Sequence, residues 1–168
     1  MTDDKPALPP EVIERLRTIG LRLDRGGRMW HQGDEITHAG LRHAILRWLD
    51  VLPDGRPIVR LDAERFAYID VDDTPLRIVS TRWDGDVPHV LADDGSDTPL
   101  DLASLTVDAD DRMRCKLRDG RLDARFTTIA QHTLLERADE KNRQLGLVAC
   151  GRFWPLAPVT DGGAGTGT

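Results

Sequence analysis

The chain has 168 residues, of which 39% are hydrophobic and 31% charged, and its formal net charge at pH 7 is −6. A chain of this length buries roughly 70% of the surface of its unfolded form, so it needs no metal or disulfide to fold. Acidic residues are mixed among the arginines throughout, which excludes a generic nucleic-acid binder. No segment approaches about 20 uncharged apolar residues, and the acidic start lacks the pattern of a secretory signal. We therefore expect a cytoplasmic protein without a membrane span.

The first predicted element is an amphipathic helix that begins near Pro9 and ends at Gly20, because proline suits a first turn and glycine a helix end. Alternating Leu21 and Leu23, a glycine-rich turn and residues 29–31 then predict a hairpin. A second helix is expected to be capped by Thr37. Its predicted buried stripe and end are formed by Leu41, Ile45, Trp48, Leu49, Leu52 and the turn at 53–55.

Strands are predicted next at 58–61, 66–71 and 76–81. The strand over 66–71 is apolar on both faces, which indicates a central strand or one that pairs with another chain. The turn at 83–86 is the best candidate for an internal boundary. It divides the chain into a first half, 1–84, a second half, 85–158, and a glycine-rich tail, 159–168, that we expect to be disordered.

In the second half we predict strands at 87–92, 100–105 and 113–118, a helix over 129–138, and two final strands at 145–150 and 152–156. Residues 122–126 fit the return strand of a hairpin. An extended segment, a turn, a helix and a strand occur in this order at 21–61 and again at 113–156. The pattern indicates an internal duplication of an α+β unit.

Reactive chemistry is not evident from the residues. The chain lacks a nucleophile elbow and a P-loop. Cys115 and Cys150 have no partner at a metal or redox spacing, and we interpret them as small buried hydrophobes in a reduced compartment. The five histidines are not spaced as metal ligands. The aspartate clusters are interpreted as turn formers, with a weak cation site as the alternative. We therefore expect no metal, no cofactor and no catalysis.

Several short motifs occur in the order typical of one bacterial family. In the first half they include a Trp-His-Gln-Gly-Asp segment, an apolar helix, a Glu-Arg pair and an acidic segment that ends in proline. The matching residues are Trp30–Ile36, Leu41–Leu49, Asp54–Arg56, Glu64–Arg65, Tyr68–Leu76, Leu117–Arg125 and Leu145–Phe153. Over residues 20–156 the chain thus resembles the family known as domain of unknown function 1285.

The resemblance implies an α+β protein of two intimately packed halves, built from short antiparallel strands and helices and internally duplicated. It also implies that the second half is loosely similar to pleckstrin-homology folds. A cleft for a small ligand, such as a nucleotide, is implied between the halves, together with a role in signal transduction. It further implies that the chain turns towards a helix at 122–126, which leaves that segment open between strand and helix. No catalytic residue is established in this family.

Three classes of function follow, in order of preference. The first is a non-catalytic module that binds a nucleotide or another anionic small molecule. The second is a structural or interaction module, in which the strand at 66–71 pairs with another chain or with a second copy. An enzyme ranks third. The predicted ligand site joins an aromatic ring that stacks on a flat ligand with guanidinium groups that bind its phosphate or carboxylate. Its members are Trp30, His31, Arg65, Asp72, Asp73, Arg118 and Arg125.

Overall fold

The computed structural model describes residues 8–158, apart from the side chain at position 157, so the predicted tail at 159–168 lies outside the described residues. The chain forms two compact units that divide between Pro75 and Leu76. This division precedes the predicted boundary at residue 84. The turn at 85–86 joins two paired strands of one sheet, because the strand Leu76–Asp84 continues through Trp83 and folds back on its neighbour. Among the described helices, none is long and apolar enough to span a membrane.

Within residues 8–75 the first unit contains a six-stranded sheet of order β3-β2-β1-β6-β5-β4. The neighbours β1 and β6 are parallel, and the other neighbouring strands are antiparallel. The strand predicted over 66–71 is therefore central, since both of its edges are hydrogen-bonded. The strands are β1 (Leu21–Leu23), β2 (Met29–His31), β3 (Asp34–Glu35), β4 (Leu49–Val51), β5 (Pro57–Arg60) and β6 (Phe66–Val71).

Two helices accompany this sheet in the described part of the unit, α1 (Pro10–Arg17) and α2 (Ala39–Trp48). The predicted cap of the second helix is wrong. The helix begins after His38, whose Nδ1 accepts a hydrogen bond from the backbone N–H of Leu41 at 3.1 Å, so Thr37 lies one position too early. The predicted helix end is also wrong, because the chain leaves the helix at Trp48 to form β4 and turns only then, at 52–55.

The second unit contains, in its described part, a seven-stranded sheet of order β16-β10-β11-β12-β7-β8-β9 and a three-stranded sheet of order β13-β14-β15. The helix α3 (Thr128–Leu135) follows β12, and a 3-10 turn (Leu102–Ser104) precedes β10. The strands are β7 (Leu76–Asp84), β8 (Val87–Ala92), β9 (Asp97–Pro99), β10 (Thr106–Val107), β11 (Met113–Leu117), β12 (Leu122–Phe126), β13 (Ala138–Lys141), β14 (Gln144–Ala149), β15 (Arg152–Pro155) and β16 (Ala157–Pro158).

Three sequence predictions are resolved or corrected in this unit. Residues 122–126, which fitted two structures, form a strand. The strand predicted at 100–105 is wrong, because Leu102 and Leu105 are buried three residues apart, which is the period of a 3-10 turn rather than of a strand. The predicted helix at 129–138 ends at Leu135, and the chain continues into β13, which the sequence did not indicate.

The two units are similar halves. Each large sheet contains two three-stranded antiparallel meanders, and one parallel pair joins the first strand of one meander to the last strand of the other. The register agrees as well, since Leu21 pairs with Ile69 and Leu76 with Ala124 at the same sequence offset. The repeat therefore spans Leu21–Val71 and Leu76–Phe126. The predicted repeat boundaries, 21–61 and 113–156, are wrong because they equate β1 with β11, which belongs to the second meander of its sheet.

The two cysteines differ in their surroundings. Cys115 is buried in β11, and burial raises the pKa of its thiol to about 12. Cys150 is exposed at the turn between β14 and β15, where its φ is 52°, so the interpretation of this residue as a buried hydrophobe is wrong. A buried, protonated thiol is a poor nucleophile, whereas an exposed one reacts freely.

We expect Ellman's reagent to modify one thiol rapidly in the native protein and the second only after unfolding. The rapid reaction should be lost in the Cys150→Ser variant and retained in Cys115→Ala. Two rapid equivalents in the native protein would contradict the burial of Cys115.

Candidate functional site

Two predicted site residues lie side by side on β2 but face opposite sides of the sheet, since successive side chains of a strand alternate. Trp30 is half-buried, opposite Arg22 on β1, and its Nε1 donates to Oδ2 of Asp24 at 3.0 Å. His31 is exposed and lies opposite Leu21. The structure therefore does not bring the indole and the imidazole onto one surface.

The other predicted residues of the first unit form local ion pairs. Arg65 is 76% exposed, and its Nε donates to Oδ2 of Asp62 at 2.5 Å. Asp72 accepts two hydrogen bonds from Arg22, from Nε at 3.0 Å and from Nη2 at 2.6 Å. These bonds lower the pKa of the Asp72 carboxyl. Its partner is thus an arginine that the sequence analysis did not nominate, on β1, which runs parallel to the strand that ends just before Asp72.

Asp73 follows Asp72 in the segment that leads from β6 to Pro75. Whether the predicted residues of the first unit share a site with Arg118 and Arg125 of the second stays a prediction.

In the second unit, Arg118 lies at the turn between β11 and β12, and its Nη2 donates to Oδ2 of Asp94 at 2.8 Å. Burial of the Asp94 carboxyl opposes its ionisation, but hydrogen bonds from Ser96 and Arg118 outweigh burial and lower its pKa. Arg118 therefore fixes two turns to each other.

Arg125 is the centre of a row of three arginines on one face of the large sheet of this unit. It is 9% exposed on β12 and lies directly between Arg114 on β11 and Arg77 on β7. Like charges opposite each other on neighbouring strands are destabilising. Asp108 offsets part of this charge, since it binds Arg114 at 3.0 Å. Asp93, whose pKa is raised by burial, accepts a hydrogen bond from the backbone N–H of Arg77 at 3.1 Å.

A cavity of about 480 Å³ lies beside the first turns of α3, and we call it the α3 cavity. Two arginines line it, together with aspartates, threonines and a histidine. The lining includes Asp110, Asp111, Arg112, Arg125, Thr128 and His132.

Hydrogen bonds hold the walls of the α3 cavity in place. Nε2 of Gln131 on α3 donates to the carbonyl oxygen of Asp111 at 2.8 Å, and its Oε1 accepts from the backbone N–H of Met113 at 3.0 Å. Thr127 caps the helix, since its Oγ1 accepts from the backbone N–H of Ala130 at 3.3 Å. The turn that carries Arg112 is thus tied to the helix.

Asp108 organises the turn that forms one wall of the cavity. Its carboxylate accepts hydrogen bonds from the backbone N–H groups of Asp110 and Arg112 and from the guanidinium of Arg114. Burial of the carboxyl opposes its ionisation, but these bonds outweigh burial and lower its pKa below the ordinary 3.8. A group whose pKa is lower in the folded state stabilises the fold above its unfolded pKa and loses that contribution as the pH falls.

We therefore expect Asp108→Asn to lower the free energy of unfolding at pH 7 by about 1–2 kcal/mol. The difference from the unmodified protein should shrink as the pH falls below 3.8, where the Asp108 carboxyl is progressively protonated. Urea unfolding at a series of pH values measures both. A difference that stays constant down to pH 2 would contradict an ionised Asp108 in this turn.

The aspartate clusters at 93–97 and 108–111 act as turn formers. Oδ1 of Asp94 accepts from both the backbone N–H and the hydroxyl of Ser96, and Oδ1 of Asp108 accepts from two backbone N–H groups of its own turn. Among residues 8–158, no group of three or more His, Cys, Asp and Glu side chains is arranged to hold a metal ion.

The sequence analysis missed most of the α3 cavity. It nominated Arg125 but not Arg112, Thr128 or His132, because these positions come together only when α3 folds back over the turn at 108–112. The aspartate cluster at 108–111 predicts a turn, and this prediction could have directed attention to Arg112, the residue that follows the cluster.

Comparison with known proteins identifies the class of fold. No protein-family model and no curated protein matches the chain. A DUF1285 family protein from Silicibacter pomeroyi DSS-3 superposes with a TM-score of 0.70 at 21% identity, over 84% of this chain and 81% of that one. A DUF1285 family protein from Shewanella baltica OS155 gives a TM-score of 0.59 at 15% identity, over 71% of this chain and 93% of that one.

The chain is an α+β protein with two similar halves, and it has the fold of these DUF1285 family proteins. The resemblance that the motifs indicated is thus confirmed at the level of the fold.

Proposed function

We propose that the protein is a non-catalytic module that binds a small anionic molecule, such as a nucleotide, in the α3 cavity. The observation that carries the proposal is the presence of two arginines, Arg112 and Arg125, in the lining of one cavity. A volume of about 480 Å³ lies within the range of small-ligand pockets, roughly 300–1,000 Å³.

The lining suits a ligand that carries both an anionic group and hydrogen-bond donors. A guanidinium forks onto two oxygens of a phosphate or carboxylate. The carboxylates of Asp110 and Asp111 repel a bare anion but accept hydrogen bonds from ribose hydroxyls or an amino group. A nucleotide combines these features, whereas inorganic phosphate meets only the cationic part of the cavity.

The proposal is binding without turnover. Burial raises the pKa of Cys115 to about 12, which argues against this thiol as a nucleophile, and the exposed Cys150 is not among the residues that line the α3 cavity. A ligand-responsive role in cytoplasmic signalling is consistent with such a module, and it forms part of the proposal.

The alternative, an interaction module, rested on the strand now labelled β6. That strand pairs with β1 over residues 69–71 and with β5 over residues 66–68, so part of each of its edges is already hydrogen-bonded within the chain. This arrangement favours the ligand-binding module over an interaction module that uses β6.

Thermal unfolding in the presence of AMP, ATP or inorganic phosphate tests the proposal. A ligand at about 100 times its Kd stabilises the native state by about 2.7 kcal/mol. We expect a rise in Tm with a nucleotide and a much smaller rise with phosphate at equal concentration. Turnover of the nucleotide, or of substrates in a phosphatase, esterase and nuclease panel, would contradict a non-catalytic module.

Arg112→Ala should reduce the nucleotide-dependent rise, because Arg112 is exposed and its loss removes a guanidinium without emptying the core. The matched control is Arg143→Asn, which removes one positive charge from the turn before β14, where the φ of 63° suits asparagine. An equal rise in the parent protein and in both variants would exclude the α3 cavity as the site.

A further inference from the structure

We propose a second, independent binding site in the first unit, for a small uncharged apolar molecule that carries one hydrogen-bonding group. The site is a hollow of about 310 Å³ between α2 and the face of the sheet that carries His31. We call it the α2 hollow. It does not depend on the function proposed for the α3 cavity.

The floor of the α2 hollow is made by buried and half-buried side chains of the sheet and of α2. Val59 on β5 lies directly opposite Ala67 on β6, and Ile45 of α2 covers them. Val59 and Ile45 are 5% and 6% exposed. An apolar ligand in the hollow would therefore contact hydrocarbon groups across the floor.

The rim of the hollow is also apolar, although it faces water. Leu41, Trp48 and Leu61 are 46%, 44% and 55% exposed, respectively, and all three line the hollow. Scattered exposed hydrophobic residues need no explanation, but a concave group of them marks a binding surface. Moving apolar surface of a ligand and of this rim out of water supplies the affinity.

His31 is the polar residue of the lining. Within residues 8–158 its ring has no hydrogen-bonding partner, so a ring nitrogen is available to a hydroxyl or amine of the ligand. Asp34 lies opposite His31 on β3 and faces the same side of the sheet, which disfavours an anionic ligand. An ionised group would in addition lose hydration in an apolar hollow. The ligand class is therefore neutral.

The dimensions favour a small molecule over a second protein chain. The volume of the α2 hollow, about 310 Å³, falls near the lower end of the size range of small-ligand pockets, roughly 300–1,000 Å³. A second copy of the chain and a lipid surface are the competing occupants.

A matched pair of fluorescent probes tests whether the α2 hollow prefers a neutral apolar ligand to an anionic one. N-phenyl-1-naphthylamine is neutral and apolar with one N–H group, and 8-anilinonaphthalene-1-sulfonate has the same ring system with an added sulfonate. With the full chain, we expect the neutral probe to show enhanced, blue-shifted emission that saturates with one probe per chain. The sulfonate probe should bind at least about tenfold more weakly. Equal binding of the two probes, or no saturable binding of the neutral one, would overturn the proposal.

Substitution of Leu61 localises the binding. Leu61→Lys should weaken the neutral probe by about tenfold or more. Leu145→Lys is the control, because Leu145 is 51% exposed but lies on β14, outside the hollow. Leu41→Lys is a second rim variant should Leu61→Lys fail to fold, as judged by circular dichroism. His31→Ala should weaken the probe by about fivefold, the equivalent of one hydrogen bond. Equal weakening by Leu61→Lys and Leu145→Lys would overturn the assignment.

Sedimentation distinguishes a small-molecule site from a dimer interface or a lipid-binding surface. We expect the mass in solution to be the same for the parent protein and Leu61→Lys, and neither to co-sediment with phosphatidylcholine vesicles. A dimer that Leu61→Lys dissociates would show that a second copy occupies the hollow, and vesicle binding lost in that variant would show a lipid surface. Either result overturns the small-molecule proposal.

Discussion

Replacing Gly146 with alanine is expected to destabilise the protein by about 3 kcal/mol, at the upper end of the cost of overpacking a well-packed interior. Gly146 lies in β14 and pairs with Pro155 on β15. A Cβ at this position would lie 2.5 Å from the carbonyl oxygen of Trp154 and 2.6 Å from Cε2 of Phe153. The oxygen belongs to the backbone of the neighbouring strand, so it can move only if the pairing of β14 and β15 is disturbed.

Urea unfolding measures this effect, with Gly26→Ala as the matched control. A Cβ on Gly26 would meet only the carboxylate of Asp24, at 3.1 Å, a contact that a displacement of a few tenths of an ångström relieves. We expect the control to change the free energy of unfolding by less than about 1 kcal/mol. Similar values for the two variants would contradict the close approach of β15 to Gly146.

Ile78→Ala is expected to lower the free energy of unfolding by about 3–4 kcal/mol, within the range for truncating a large aliphatic side chain in a core. Ile78 is fully buried on β7, where it pairs with Phe126 on β12 and with Ala92 on β8. The substitution removes three carbons from the centre of the seven-stranded sheet and leaves a cavity that strands cannot easily close.

The neighbouring Val79→Ala provides the control, because Val79 is 40% exposed on the opposite face of the same strand. It should cost less than about 1 kcal/mol. Leu23 occupies in the first half the position of Ile78 in the second, and Leu23→Ala should cost a similar amount to Ile78→Ala. A change below about 1 kcal/mol in either buried variant would contradict the similar packing of the two halves.

The local sequence pattern correctly predicted those elements in which it agrees with the tertiary environment. The hairpin over 21–31 and the central strand at 66–71 follow from alternation and turn residues, and both are present. The cap of α2 was missed because Thr37 and His38 both precede the helix, and only tertiary placement decides which one accepts the Leu41 N–H. The strand predicted at 100–105 failed because the leucines there fit a period of two about as well as a period of three.

The sequence did not predict which strands pair when they lie far apart along the chain. The parallel pairs β1–β6 and β7–β12 join segments at opposite ends of each half, and no local signal specifies them. The same limit applies to the sites. Arg22 meets Asp72 only because β1 lies beside β6, and Arg112 reaches the α3 cavity only because Gln131 holds the turn at 108–112. Arg125 was predicted as a site residue from its residue type, but its neighbours in the α3 cavity could be identified only from the fold.

A residue-resolved NMR titration with AMP tests the proposed ligand site most directly. Backbone amide resonances of Asp111, Thr128 and Gln131 should shift progressively and saturate together, while that of Val148 on β14 stays unchanged. The same titration of Arg112→Ala should require a markedly higher AMP concentration. Saturating shifts confined to other parts of the chain, or no shift at millimolar AMP, would contradict a nucleotide site beside α3.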